Sequence, residues 1–491
     1  MNLSSRFIKT INTDPKLSIL GSKINNKWNK INREELYSLM HECIYTLKHY
    51  NVKKGDRVAY KGNNSIEWVA WNMSCYSVGA IWVPMYSEQN ITHTNFIIDN
   101  CQPKLLITDN FPLLKKEHNN NNTNIISNEI SRTKNDGIIS IENNDIATLI
   151  YTSGTTGNPK GVVLTHENII SNLEGIHDRF KDIGRIESLN ILPWAHIYSL
   201  TCELYYNLLY DNCTNICNNK ESFMKDCREV SPDVLYIVPK ILQLIKNKTE
   251  FLDKPIINNI IPIVLNTIFG GNLKNIFIGG AKLDLETRSF YSNNKITICE
   301  GYGSTETSPL VSVNHLNYPR NIESVGKILD NVSVKIIDDE ICVSGSNVMS
   351  GYWNNKIDTD KCMVFYDNKT WYKTGDSGYI DDGYLFYKGR ISDNYKLSNG
   401  KFVNIHEVED TVRNYIKSNF IVYSRNNQHN DIITDEYIDN NKLELINSKL
   451  DNYLKIKNVT VIDEDEFKKF MTPKMSIKRK LLINYVEDII K

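Results

Sequence analysis

Residues 151–161 read Tyr151-Thr152-Ser153-Gly154-Thr155-Thr156-Gly157-Asn158-Pro159-Lys160-Gly161. The stretch lies between one apolar run at 146–150 and another at 162–164, which makes it a turn between two strands. Gly154 and Gly157 lack a Cβ and tolerate positive φ, so the backbone there can close around an anion. The Ser and Thr hydroxyls can donate to phosphate oxygens, and Lys160 adds a point charge. A Walker A loop requires GxxxxGK[ST], but Pro159 precedes the lysine here, so that reading fails. The alternative is an ordinary polar hairpin, and eleven consecutive residues of this type weigh against it.

Working outward, residues 56–109 alternate strand, helix, strand, helix, strand. Strands are expected at 58–60, 81–83 and 104–108, and apolar positions recur at helical spacing over 65–78 until Gly79 ends them. Beyond the loop, Thr165 reads as an N-cap, with Ile169, Leu173, Ile176 and Phe180 on one helical face. Such alternation implies an α/β fold, a parallel sheet with helices on both sides. From 325 to 390 the texture changes to short strands at 332–337, 341–344 and 384–387, with Asp382-Gly383 as a hairpin turn. A helical pattern at 408–416 and a strand at 420–423 then mark a small α+β unit.

Composition narrows the function classes. The 491 residues are ample for a sizeable core, and 57 basic against 58 acidic side chains give no electrostatic case for nucleic acid. The N-terminus lacks the apolar core of a signal peptide, and no stretch has the apolar length of a membrane span. The expected location is therefore cytoplasmic, with peripheral membrane association left open. The ten cysteines are scattered and read as buried thiols; Cys213 and Cys217 form a close pair without a second pair or histidine to make a metal site. The asparagine run 119–122 reads as a polar surface loop.

The 151–161 loop resembles the phosphate-binding signature of the adenylate-forming (AMP-binding) superfamily, which includes acyl-CoA synthetases, luciferases and peptide-synthetase adenylation domains. The resemblance continues, in the family's order, at 192–203, 279–283, 300–309, 324–327, 345–353, 374–378 and 388–390, and so covers almost the whole chain. It implies a large N-terminal domain, residues 1–389, with parallel and mixed sheets sandwiched by helices and a β-barrel-like subdomain. It also implies a small mobile α+β C-terminal domain, residues 390–491. The implied chemistry uses ATP, Mg²⁺ and CoA. A carboxylate attacks the α-phosphate of ATP, pyrophosphate leaves, and a thiol then displaces AMP from the acyl-adenylate.

The same resemblance assigns roles to residues. Thr152, Ser153, Gly154, Thr155, Thr156, Gly157 and Lys160 would cradle phosphates. Gly279, Gly280 and Ala281 match the turn beside adenine. In Gly301-Tyr302-Gly303-Ser304-Thr305-Glu306, Tyr302 offers an aromatic face, the glycines permit close approach, Thr305 can donate to the α-phosphate, and Glu306 suits Mg²⁺. Asp376 matches the aspartate that grips the ribose hydroxyls, and Arg390 the arginine touching ribose and phosphate. By themselves, a Thr-Glu pair, a turn aspartate and an exposed arginine would be ordinary surface residues. Asp393 matches the family's hinge, although Ser392 stands where a lysine is usual, and Gly400 matches the thiol channel. The catalytic lysine falls in Lys474-Met475-Ser476-Ile477-Lys478-Arg479-Lys480, where Lys478 fits best and Lys474 and Lys480 remain alternatives; a solvated basic turn is the bland reading.

Residues 192–203, 300–309 and 395–403 resemble the long-chain fatty acyl group more than activators of acetate, aryl acids or amino acids. Trp194, His196 and Tyr198 become candidates for an acyl gate, with a core aromatic cluster as the alternative. The expected activity is that of a fatty acid–CoA ligase, long-chain in type. The competing readings are an adenylating enzyme that passes its acyl group to a carrier-protein thiol or an amine, and a catalytically weak nucleotide-binding relative.

Overall fold

The computed structural model describes residues 1–109, 123–127, 140–152, 158–249, 260–316, 321, 323–398, 400–472 and 477–490. Among these, seven strands form one sheet in the order Gly351–Tyr352, Lys160–Thr165, Ile146–Thr152, Ile81–Met85, Arg57–Lys61, Leu105–Thr108, Asn124–Ser127. The last five run parallel, as the alternating pattern predicts, while Lys160–Thr165 turns back antiparallel on Ile146–Thr152. Thr152 and Lys160, the described ends of that loop, therefore pair at the C-terminal end of a parallel strand. That is where open α/β sheets place ligands.

A second, larger sheet contains the parallel strands Glu187–Asn190, Cys213–Ile216, Val234–Ile237, Asn275–Ile278 and Thr297–Gly303. Leu310–Val313 returns antiparallel on the last of these, and Lys327–Ile328, Tyr384–Arg390, Lys369–Asp381, Glu340–Gly345 and Val332–Ile337 continue the path. The 325–390 strands expected to form a barrel-like unit thus extend the parallel sheet. The Asp382-Gly383 turn has φ of 46° and 75°, the geometry a two-residue hairpin requires.

Helix Ile66–Ser77 is buried along nearly its whole circumference, so it carries apolar and small residues on every side. The Ser65 side chain caps it, accepting from the Trp68 N–H at 3.1 Å. Helix His166–Phe180 begins at Thr165 as expected. Thr165 accepts from the Asn168 N–H, and the Asn168 side chain accepts in turn from the Thr165 N–H. Ile169, Leu173, Ile176 and Phe180 are buried on its inner face. Eight of the ten cysteines are buried free thiols. Among the described residues, no helix is long and apolar enough to cross a membrane.

From Leu397 onward the chain builds separate apolar clusters around the sheet Phe420–Tyr423, Asn430–Thr434, Ile456–Val461. The expected helix at 408–416 lies earlier, at Ile405–Arg413, because Asn404 caps it by accepting from the His406 N–H at 3.1 Å. This unit sits against the large one through ion pairs. Lys282 Nζ lies 2.6 Å from Asp410 Oδ2, and Glu286 takes both Lys246, at 2.8 Å, and Lys417. At the connecting segment Gly389 has φ +117°, and a Cβ placed there would fall 1.9 Å from the His406 ring.

Candidate active site

The base of the hairpin is fixed by pairing of Thr152 with Lys160. Ser153, Gly154, Thr155, Thr156 and Gly157 lie outside the described residues. The Lys160 ammonium is 2.8 Å from Asp358 Oδ2 and 5.3 Å from the centre of the Tyr352 ring, an ion pair joined to a cation–π contact. The lysine holds the Asp358 carboxyl below its usual range. Tyr352 follows Gly351 in a short strand paired with Lys160–Thr165, and its hydroxyl donates to Glu306 Oε1 at 2.9 Å. Burial, reinforced by the Glu306 charge, pushes the Tyr352 phenol up, so it remains a donor at neutral pH. The chain of contacts from Lys160 through Tyr352 to Glu306 joins two motifs far apart in sequence. Tyr352 and Asp358 were not assigned roles from sequence, although Tyr352 falls within a stretch that carries the resemblance.

Glu306 sits in a 3₁₀ turn, Thr305–Thr307, and its carbonyl accepts from the Met349 N–H at 2.8 Å. Thr305 is buried. Gly303 leads into this turn, and a Cβ on it would meet the Pro309 carbonyl oxygen at 1.8 Å. The room left by this glycine is therefore taken by the chain's own returning strand, where the sequence suggested room for a nucleotide. Tyr352 holds one oxygen of Glu306, and no described residue takes Oε2. A half-exposed carboxylate with an uncommitted hard oxygen fits a Mg²⁺ ion that completes its shell with phosphate and water oxygens.

Three strands converge on Asp376, which is 4% exposed. The Tyr302 hydroxyl donates to Oδ2 at 2.7 Å, and Arg390, directly opposite in register, places Nε 3.0 Å from Oδ1. Arg390 also donates to the Thr374 carbonyl at 2.8 Å while keeping 48% of its side chain open to solvent. Burial pushes the Asp376 carboxyl up to about 6 against the opposing pull of Arg390 and Tyr302. The guanidinium is near Oδ1 but not directed at it, so this oxygen has no hydrogen bond from a described residue. A buried acceptor of this kind suits a ligand hydroxyl.

Gly301 and Gly279 border the interior. Gly279 approaches the face of Tyr198 so closely that a Cβ would lie 3.0 Å from the ring. Gly280 and Ala281 follow the strand Asn275–Ile278 and are exposed. The three gate candidates separate. Trp194 is fully buried against Trp68, 5.4 Å between centroids, and Trp68 in turn packs on Trp82, so it belongs to the aromatic core. The His196 Nδ1 accepts from the Tyr198 N–H at 3.2 Å and thereby fixes the turn before a π-helical segment, Ser199–Tyr205. Of the three, Tyr198 lines an apolar cavity that reaches Gly301.

The C-terminal segment is anchored by a residue the sequence reading passed over. Arg479 donates to Glu409 Oε1 at 2.7 Å and to the Val422 carbonyl at 2.5 Å, and lies 3.9 Å from Asp393, the hinge candidate. Lys478 precedes the last helix; its N–H donates to the Phe470 carbonyl at 2.7 Å and its own carbonyl accepts from Leu482. Among the described residues its ammonium enters no ion pair. Lys480 is exposed on the first helical turn, and Lys474 lies outside the described residues. Gly400, φ +84°, is exposed on a turn closed by its N–H to the Leu397 carbonyl at 2.8 Å.

These features fit the nucleotide site expected of the adenylate-forming type. The AMP-binding enzyme family profile matches residues 11–353, and the chain belongs to that family. It is 26% identical over 475 residues to the long-chain-fatty-acid–CoA ligase FadD15 of Mycobacterium bovis, with 84% of this chain and 78% of that protein covered. It is 27% identical over 403 residues to 2-succinylbenzoate–CoA ligase of Bacillus licheniformis, covering 76% and 77%. The fold matches ATP-bound MatB from Rhodopseudomonas palustris with a TM-score of 0.84 at 21% identity, over 100% of both chains.

Proposed function

We propose that the chain is an AMP-forming acyl-CoA ligase that activates long-chain fatty acids. The observation that carries the reading is the convergence of Lys160, Tyr352 and Glu306 with Tyr302, Asp376 and Arg390, beside an apolar cavity that ends at Gly301. In this reading Lys160 and the loop 152–157 hold the β- and γ-phosphates. Asp376 accepts from the ribose hydroxyls through Oδ1, which takes no hydrogen bond from a described residue, and Arg390 adds positive charge near ribose and phosphate. Thr305 donates to the α-phosphate, and Gly279, Gly280, Ala281 and Tyr302 border adenine. Glu306 would hold a Mg²⁺ ion, which supplies charge neutralisation between phosphate oxygens. The fatty acid carboxylate enters from the cavity side and attacks the α-phosphorus; the bond to pyrophosphate breaks. Residues 390–491 then turn about Asp393, and the Gly400 turn lines the path of the CoA thiol. The resemblance to fatty acid–CoA ligases at 24–26% identity supports CoA as the acceptor.

Incubation with ATP, Mg²⁺, CoA and a carboxylate panel tests the reading, with products identified by mass spectrometry. Palmitate-like acids should lead acetate, benzoate and amino acids. A panel led by a short or amino acid overturns the long-chain assignment, and adenylate formation without a CoA ester moves the acceptor to a carrier thiol or an amine. Glu306→Gln should slow pyrophosphate exchange by about tenfold, since the amide keeps an oxygen ligand but loses its charge. Unchanged exchange would remove Glu306 from the metal site.

A further inference from the structure

Lys160, the cation assigned above to the β- and γ-phosphates, has a carboxylate beside it. Asp358 Oδ2 lies 2.8 Å from the ammonium, and the two side chains are 26% and 24% exposed. The fold builds this pairing across 198 positions of sequence, 358 minus 160. Trp353 ties its segment to the strand Lys160–Thr165 by donating its N–H to the Gly161 carbonyl at 2.7 Å. Helix Lys356–Cys362 then packs on Gly351–Tyr352. The Tyr352 N–H donates to Thr359 Oγ1 at 2.9 Å, and a Cβ on Gly351 would fall 2.8 Å from the Thr359 methyl. Asp358 is fixed on that helix by its own N–H to Asn355 Oδ1 and by Asn355 Nδ2 to its Oδ2, both at 3.0 Å. Its other oxygen takes the exposed Lys361 at 3.4 Å.

Capping the helix uses an oxygen at position 358, which an amide would supply equally well. A full negative charge there has a further effect, because it opposes any second anion drawn to the same ammonium. Taking Lys160 as a phosphate ligand, as the proposed function does, we propose that Asp358 is a positioning residue that holds the ammonium in place and weakens its attraction for phosphate, so that pyrophosphate leaves once the acyl-adenylate has formed. Tyr352 complements it. Its ring, 5.3 Å from the ammonium, holds the lysine without a formal charge of its own. An ammonium carries three donors, so Lys160 can keep Asp358 while it meets a phosphate oxygen. The carboxylate then stands as a fixed repulsive neighbour to the phosphate, and the site grips the leaving group less tightly than the lysine alone would.

The test is calorimetric titration of the full chain with magnesium pyrophosphate, comparing wild type with Asp358→Asn and Lys160→Met. The asparagine keeps an oxygen for the cap and for the lysine and removes only the charge. Asp358→Asn should bind pyrophosphate about fivefold more tightly, the upper range for a partly exposed ion pair. The KM for ATP should fall with it, while kcat does not rise. Structural damage at the site would loosen binding, so a gain in affinity separates the proposed role from a merely structural one. Pyrophosphate bound as in wild type, or more weakly, by Asp358→Asn overturns the proposal when Lys160→Met has lost affinity. Unchanged affinity in Lys160→Met instead removes that lysine from the phosphate site of the proposed function, and the inference with it.

Discussion

Lys478→Ala is expected to lose acyl-adenylate formation from ATP by about 10²–10³-fold while still converting supplied acyl-adenylate and CoA to thioester. The reason is electrostatic. A carboxylate and a triphosphate must meet, and an ammonium placed between them stabilises the charge that accumulates as the new bond forms. Among the described residues the Lys478 ammonium enters no ion pair, while its neighbour Arg479 is committed to Glu409 and the Val422 carbonyl. Gly400→Leu should show the reverse pattern, with adenylate made and thioester formation slowed. Rapid-quench assay of the two half-reactions separates these outcomes. If Lys474→Ala or Lys480→Ala alone loses the first step, the reaction lysine is that residue. If all three variants remain active, the small C-terminal unit has no lysine role.

Asp376→Ala should raise the KM for ATP by more than a hundredfold, since two charge-assisted hydrogen bonds to ribose at about 1.5–3 kcal/mol each are lost. The variant also leaves the Tyr302 hydroxyl and Arg390 without their shared partner. Asp376→Asn isolates the charge from the shape and predicts a pH signature. The folded carboxyl titrates near about 6, above its ordinary 3.8, so the ionised form that grips hydroxyls is depleted as pH falls through 6. The KM for ATP should therefore rise below that pH in the wild type and stay flat in Asp376→Asn. Stability runs the opposite way. A carboxyl raised on folding stabilises most below its unfolded value and loses that contribution as pH rises toward 6. Wild-type melting should accordingly gain relative to Asp376→Asn on acidification from pH 6 to pH 4. A wild-type KM for ATP that does not change across pH 6 removes Asp376 from the ribose site.

What the sequence reveals depends on whether the partner of a residue is local. Thr165 and Asn168 are three apart, and the cap they form is legible from that spacing. The strand Phe420–Tyr423 is four β-formers in a row and falls where expected. Tyr302 is different. Its hydroxyl finds Asp376, 74 residues away on another strand, so sequence could suggest only an aromatic face. Tyr352 joins Lys160 to Glu306 through a strand of two residues, too short to carry any period. Trp194 and Tyr198 are four apart, yet one enters the core and the other a cavity, because a turn separates them and no helical or strand period applies. The π-helical segment Ser199–Tyr205 likewise has no distinct periodicity in its side chains. In the same way, Arg479 looks like one of several basic residues until the fold brings Glu409 and Asp393 to it.

Gly389 works as an unfilled notch. The His406 ring rests in it and is backed by Tyr387 at 5.5 Å, so it cannot simply swing aside. A single methyl at 389 would be a doorstop, propping the C-terminal unit away from the nucleotide side even though the charged seam residues Lys282, Glu286, Asp410 and Lys417 remained in place. Gly389→Ala should therefore show a larger radius of gyration in small-angle scattering and lose whichever half-reaction uses this seating. An unchanged radius would mean that the two bodies can shift past each other without that notch.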